Sequence, residues 1–240
     1  MLKQLKKEGE KVDKVLEMLL LQQELNDSTN GEGWEAGKTK NGKTINWKRC
    51  IYMESCEMID SFAWKHWKAI NQEPDWANLQ IEVVDVWHFI MSLGLEDYAQ
   101  NFRGSLDDLA MNISLMPGYL TLSENGDLMF AEPDTIMAKV EEIIFNAVDH
   151  KGFDSAKLFE DFFELASMCK LNLADLYRLY VGKNILNQFR QDHGYKEGTY
   201  KKVWNGKEDN VVMQELWDEN GSLTPKTLYG ALQKAYATAE

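Results

Sequence analysis

Apolar residues recur along this chain at spacings of three and four, the period of helices buried by one face, and no segment alternates in the manner of a half-buried strand. Val12, Leu16, Leu19, Leu20 and Gln23 trace one face of a helix expected over about residues 11–27. The stretch NDSTNGEGWEAGKTKNGKT, rich in Gly, Asn and Thr, reads as a loop. A second helix is expected from Asn46 to about Ile70, closing near Asn71-Gln72-Glu73-Pro74. A third runs from Trp76 to Tyr98 and carries Leu79, Ile81, Val84, Val86, Phe89 and Ile90. Residues 99–133 are less regular, broken at Gly104, Pro117-Gly118 and Asn125-Gly126. Helical patterning resumes over 134–149, 154–170 and 173–192. The polar, glycine-punctuated segment HGYKEGTYKKVWNGKEDN is too long for a plain connector. Two further helices are placed after Asp209 and after Ser222. The pattern predicts an all-α helical bundle, with residues 1–240 as one domain.

Two of these helices carry acids in an unusual setting. In IYMESCEMIDSFAW, Glu54 and Glu57 stand three apart and share a face, flanked by Ile51, Tyr52, Met53, Met58, Ile59 and Phe62. In IEVVDVWHFI, Glu82 and Asp85 repeat the spacing within a still more apolar run. Four ionised carboxylates on largely buried helices need cations or must take up protons. Near the pairs the one obvious cation on these helices is Arg49, with Lys65 and Lys68 two or more turns further on. Hard oxygen ligands of this kind suit Mg²⁺, or Mn²⁺ in its place. If the helices are antiparallel neighbours joined at the Pro74 turn, the two pairs can face one another. A single E-x-x-E is more often a salt-bridged or solvated pair, and it is the doubling that points to metal. Asp85-x-x-His88 imitates part of a di-iron carboxylate site, but that architecture needs a second such element. The remaining histidines, His66, His150 and His193, have no acid three residues before them.

Composition narrows the classes. The 240 residues carry 39 acidic and 26 basic side chains, a formal net charge of −13, which argues against a nucleic-acid binder. Three cysteines without zinc-like spacing, no apolar run long enough for a membrane and no signal peptide predict a soluble, cytoplasmic protein, of a bacterium or a phage-infected cell. Against this acidity, Lys183, Arg190, Lys196, Lys201, Lys202 and Lys207 oppose only Asp192 and Glu197, a local contrast that would draw an anion. Gly194, Gly198 and Gly206 allow close backbone approach, and Tyr195, Tyr200 and Trp204 add hydroxyl and planar groups. Asn184 and Asn187 share a helical face with Arg190. A solvated capping loop would look similar. Together, a carboxylate cluster and a phosphate-binding segment describe a site for a nucleoside polyphosphate.

The stretches LQQELNDSTNG, NWKRCIYMESCEMIDSFAWKHWK, IEVVDVWHFI and YVGKNILNQFRQDHGYKEGTYKKVWNGKEDN resemble the dimeric dUTPases of the all-α nucleotide pyrophosphatase superfamily. The likeness covers about residues 16–98 and 154–210; WKHWK and the GKN…WNGKEDN segment are its most specific parts. The resemblance implies a rigid core over about 11–98 and 154–212, with a mobile part over 99–150 that closes on substrate. It implies that Glu54, Glu57, Glu82 and Asp85 hold Mg²⁺ on the triphosphate while water attacks the β-phosphorus, Glu54 positioning or deprotonating that water. Uracil and sugar would be met by Gln23, Asn26, Trp64, His66 and His88. The phosphates would be met by Lys65, Lys68, Lys183, Asn187, Arg190, Tyr195, Lys196, Tyr200, Lys201 and Asn205. A homodimer hydrolysing dUTP and dUDP to dUMP is the expectation, with neither nucleic acid nor membrane as partner. A sister pyrophosphatase acting on another nucleotide such as dCTP, and a catalytically silent nucleotide-binding regulator, are the alternatives.

Overall fold

Ten helices and one short β-ribbon occur among the residues described, 2–68, 72–124, 126–220 and 224–239, in a computed structural model with side chains described from Lys14 onward. They are α1 (Leu2–Asn30), a 3₁₀ turn (Trp34–Ala36), α2 (Trp47–Asp60), α3 (Trp76–Gln100), α4 (Leu106–Ser114), α5 (Pro117–Leu122), α6 (Pro133–Val148), α7 (Ser155–Met168) and α8 (Leu173–Asp192). The ribbon β1 (Val203–Trp204) and β2 (Lys207–Glu208) then precedes α9 (Asp209–Glu219) and α10 (Pro225–Ala237). The chain forms two compact units, Met1–Tyr177 and Arg178–Glu240.

Side-chain caps set several of the helix starts. Asn46, Asp75 and Asp154 each accept the backbone N–H three residues on, and Ser105 and Thr224 close reciprocal capping boxes. In the first unit α2 and α3 form a hairpin. The Asp75 N–H donates to the Ser61 carbonyl at 2.8 Å, and the Asn78 amide donates to the Ser61 hydroxyl at 2.9 Å. At the other end Trp47 stacks on Phe89 with centroids 6.0 Å apart. The end of α2 therefore meets the start of α3 and its start lies along the later turns, so the two helices are antiparallel. α6 packs on α2, α1 on α3 and α4, and α7 on α5 and α6. Trp87 on α3 is fully buried and stacks on Phe162 of α7 at 4.7 Å.

Four expectations shift. α1 continues past residue 27 to Asn30, where Gly31 takes a φ of +93° and donates its N–H to the Asp27 carbonyl. Its buried stripe is also rotated. Val15, Met18, Leu19, Gln22 and Asn26 face inward, whereas Leu20, placed on the buried face by its spacing, is half exposed. The described side chains do not include Val12. A run of three leucines fits more than one phase, and packing against two helices at once selects this one. α2 stops at Asp60, about ten residues before the expected end. The Asp60 carboxylate collects the Trp64 indole N–H and the Lys65 ammonium, each at 3.0 Å, and the Ser61 carbonyl goes to Asp75 instead of continuing the helical ladder. Ile70 and Asn71, the expected end, lie outside the described residues, as does Ser222 ahead of α10. A two-residue ribbon stands where only polar loop was expected: Asn205 and Gly206 both adopt positive φ, the geometry of a tight hairpin turn.

Glu96, half-buried near the end of α3, has a pKa pushed up to about 7 from the ordinary 4.5, by burial first and by the charge of Asp97 second, with Lys48 opposing. A carboxyl whose folded pKa is raised stabilises the fold fully below its unfolded pKa, and that contribution is lost as pH rises toward 7. Glu96→Gln is therefore expected to match the parent's melting temperature near pH 4. At pH 8 it should exceed the parent by about 1 kcal/mol, after screening at a partly exposed site. Thermal unfolding at the two pH values checks this, and equal stability at pH 8 would contradict it.

Candidate active site

At the seam of the α2–α3 hairpin, Glu54, Glu82 and Asp85 each bring one carboxylate oxygen within 4.8 Å of the other two. The antiparallel packing explains the meeting. Ile51, Ser55 and Met58 of α2 and Ile81, Val83, Val84 and Val86 of α3 are buried, and the three acids are half-buried. Glu57 is turned to solvent and stands outside the group of three. Glu54, Glu82 and Asp85 thus line an accessible seam and are not sealed in the core, because α2 buries only one face, leaving Met53, Cys56 and Glu57 exposed. Three carboxylates this close repel one another, and a hard divalent cation relieves that repulsion with the oxygen donors it prefers. The donor set therefore fits such an ion. His88 is not in the group, so the di-iron imitation fails on geometry as well as on count. Its Nδ1 lies 2.8 Å from the Val84 carbonyl, which places the neutral ring's proton on Nδ1 and leaves Nε2 as the acceptor nitrogen.

From Glu82 through Asp85 and His88 to Ser92, α3 presents these side chains at spacings of three and four, one helical face. At its Ser92 end this face meets buried amides of α1. Gln22 Nε2 donates to Asn26 Oδ1 and to Ser92 Oγ, both at 3.1 Å, and Asn26 Nδ2 donates to Ser92 Oγ at 3.0 Å. Asn26 and the His88 backbone carbonyl thus meet at the Ser92 hydroxyl. Gln23, singled out with them, points elsewhere and donates to Glu35 (2.7 Å) and Asp27 (3.1 Å). Gln22 and Ser92 were not evident from the sequence. The one available signal was the four-residue spacing of Gln22 and Asn26.

The WKHWK segment is an irregular, largely exposed stretch after α2. Trp64 and Lys65 both hydrogen-bond Asp60, whose carboxyl is held below its usual range by Trp64 first and Lys65 second. Trp67 meets Trp64 and His66 edge-on at 5.7 and 4.9 Å. Asp60, Phe62, Ala63, Lys65, Lys68 and Gln72 line a polar cleft of about 220 Å³. Lys65 and Lys68 therefore share a concave surface.

In the second unit Arg190 is buried and makes a bidentate ion pair with Asp209, Nε and Nη2 each 2.8 Å from a carboxylate oxygen. Its Nη1 donates to Asn187 Oδ1 at 3.1 Å. The Tyr200 hydroxyl donates to the same Asp209, and burial followed by that carboxylate pushes the phenol's pKa far up, so it stays protonated. Lys183, also buried, donates to Asn210 at 3.0 Å. Tyr195, Lys196, Lys201 and Asn205 are exposed, with Asn205 at the hairpin tip and the Tyr195 ring 5.9 Å from the Arg190 guanidinium. Asp209 lies two residues beyond Lys207, the last cation of the basic segment. Extended by two residues, its six cations face four acids.

The chain is mostly helical, and its hairpin seam gathers three carboxylates that could hold a divalent cation. The family is more particular: residues 14–195 match the dUTPases, and the chain belongs to that family. It is accordingly a dUTP pyrophosphatase, an enzyme of nucleotide metabolism, and Glu54, Glu82 and Asp85 are its candidate divalent-metal site. A search of curated proteins finds no match. The family match includes Lys183, Asn187, Arg190 and Tyr195, while Lys196, Tyr200, Lys201 and Asn205 lie beyond it. No described helix is long and apolar enough to cross a membrane.

Proposed function

We propose that this dUTPase hydrolyses both dUTP and dUDP to dUMP, with Mg²⁺ as its metal and attack at the β-phosphorus. The observation that carries the reading is the gathering of Glu54, Glu82 and Asp85 across the α2–α3 seam. Mg²⁺, or Mn²⁺ in its place, would there neutralise phosphate charge and lower the pKa of a bound water. Glu54 positions the attacking water and takes its proton. The water oxygen joins the β-phosphorus, the bond to the bridging oxygen on the nucleoside side breaks, and dUMP leaves. Glu57, exposed on the neighbouring turn of α2, completes the acidic set only by swinging toward the metal. Asn26, Trp64, His66 and His88 meet base and sugar, and Gln23 joins them on release from Asp27 and Glu35. Lys65, Lys68, Lys183, Asn187, Arg190, Tyr195, Lys196, Tyr200, Lys201 and Asn205 meet the phosphates. Residues 1–240 act as one functional domain in which 99–150 close on substrate. The working form is a cytoplasmic homodimer, and Phe102, Met111 and Leu115, exposed on and beside α4, are apolar surface of the kind a second copy covers.

Release of dUMP from dUDP tests the point of attack, because the diphosphate keeps the β-phosphorus and lacks the γ-phosphorus. Hydrolysis of dUDP at a rate within about tenfold of dUTP is expected, and an inert dUDP would reject attack at the β-phosphorus. A panel of deoxynucleoside triphosphates separates the alternatives. Preference for dCTP would make this a sister enzyme, and tight dUTP binding without turnover in Mg²⁺ would make it a regulator.

A further inference from the structure

We infer that Ser92 is a specificity-positioning residue, whose hydroxyl fixes which way the buried amides of α1 face and thereby sets the preference for uracil over cytosine. The inference rests on the reading that Asn26 meets the base. Ser92 is fully buried on α3. Its hydroxyl lies 2.8 Å from the carbonyl of His88, one turn back, and a carbonyl can only accept, so the hydroxyl's single proton is committed there. The other acceptor within reach, Asn26 Oδ1, is at 3.5 Å and loses the competition. With its proton spent, Ser92 Oγ can only accept. Both amides that approach it must then present N–H groups, Gln22 Nε2 at 3.1 Å and Asn26 Nδ2 at 3.0 Å. Gln22 Nε2 also donates to Asn26 Oδ1 at 3.1 Å, which occupies the Asn26 oxygen as an acceptor. One hydroxyl thus requires an N–H from each of two amides, both at most a few per cent exposed.

Amide orientation is what separates the two pyrimidines. Uracil offers a donor at N3 and an acceptor at O4, and cytosine offers the reverse. An amide free to rotate by 180° about its last torsion satisfies either base, whereas a locked one leaves buried polar atoms unpaired against the wrong base. No other described hydroxyl or amide bonds both Gln22 and Asn26. Ser92 does not touch the carboxylate group, so its effect falls on base choice.

The test compares kcat/KM for dUTP and dCTP, by pyrophosphate release, in the parent enzyme, Ser92→Ala and Gln22→Met, with melting temperatures taken alongside. The dUTP-to-dCTP ratio should fall about tenfold or more in Ser92→Ala, mainly through a higher KM for dUTP, and in the same direction but less in Gln22→Met, which removes one of the two donors. A serine that merely supports packing would lower the melting temperature and leave the ratio unchanged. An unchanged ratio in folded Ser92→Ala overturns the inference; if that variant does not fold, an unchanged ratio in Gln22→Met does so instead. A parent enzyme with no preference between the two nucleotides overturns the base-reading itself and the inference with it, whereas a selective parent with unchanged variants sinks the inference alone.

Discussion

Glu54→Gln is expected to keep its helices and lose dUTP hydrolysis by about 10³-fold or more, the range for removing a general base that also holds a metal. The substitution is nearly isosteric at a half-buried position, and it removes one of three mutually repelling charges. The metal-free protein should therefore be no less stable than the parent, and circular dichroism should superimpose. A titration with Mg²⁺ then separates the two roles of the carboxylate. Loss of a ligand alone weakens metal binding and is partly recovered at high Mg²⁺, whereas loss of the base is not. Activity within about tenfold of the parent at saturating Mg²⁺ would remove Glu54 from the chemistry.

Asp209→Ala is expected to destabilise the second unit by about 3–5 kcal/mol, the range for removing one partner of a buried ion pair. Asp209 has no exposed surface and accepts two bonds from Arg190 and one from Tyr200. Its truncation leaves a buried guanidinium and a phenol that must find other acceptors beside a core of Leu186, Phe189, Trp204, Met213, Leu228 and Leu232. It also removes an acid from the first turn of α9, where it complements the helix dipole. Asp209→Asn keeps an acceptor and should cost less. The paired change of Arg190→Met with Asp209→Leu should cost less than Asp209→Ala, because no charge is then stranded. Chemical denaturation measures all three, and a loss under about 1 kcal/mol in Asp209→Ala would show that water reaches the guanidinium.

Periodicity and caps made the helices legible: α3, α6, α7 and α8 lie within two residues of the positions their apolar spacing predicts. What stayed hidden was decided by contacts distant in sequence or by the phase of a helix. The early end of α2 depends on Asp60 capturing Trp64 and Lys65 and on Asp75 taking the Ser61 carbonyl, neither of which leaves a mark on local propensity. The acids were visible as two equal pairs, but the rotation of α2 that turns Glu57 outward became visible only with the hairpin's packing. Gln22 carries no local mark of burial, because its acceptor, Ser92, is 70 residues away. The basic segment was real in count, yet its most buried cation, Arg190, is held by an aspartate just past the stretch that drew attention.

The single face of α3 that bears Glu82, Asp85, His88 and Ser92 restricts how this enzyme can diversify. A one-residue insertion or deletion between Glu82 and Ser92 would rotate the later residues by about 100° against the earlier ones. On the proposed roles of these side chains, turnover and base selection would be lost together, and changes to this helix would have to keep its phase. New base preferences are accordingly expected to arise on α1, around Gln22, Gln23 and Asn26, away from the carboxylate seam. Aligned relatives with altered substrates should show their differences concentrated there, with the length of α3 held constant.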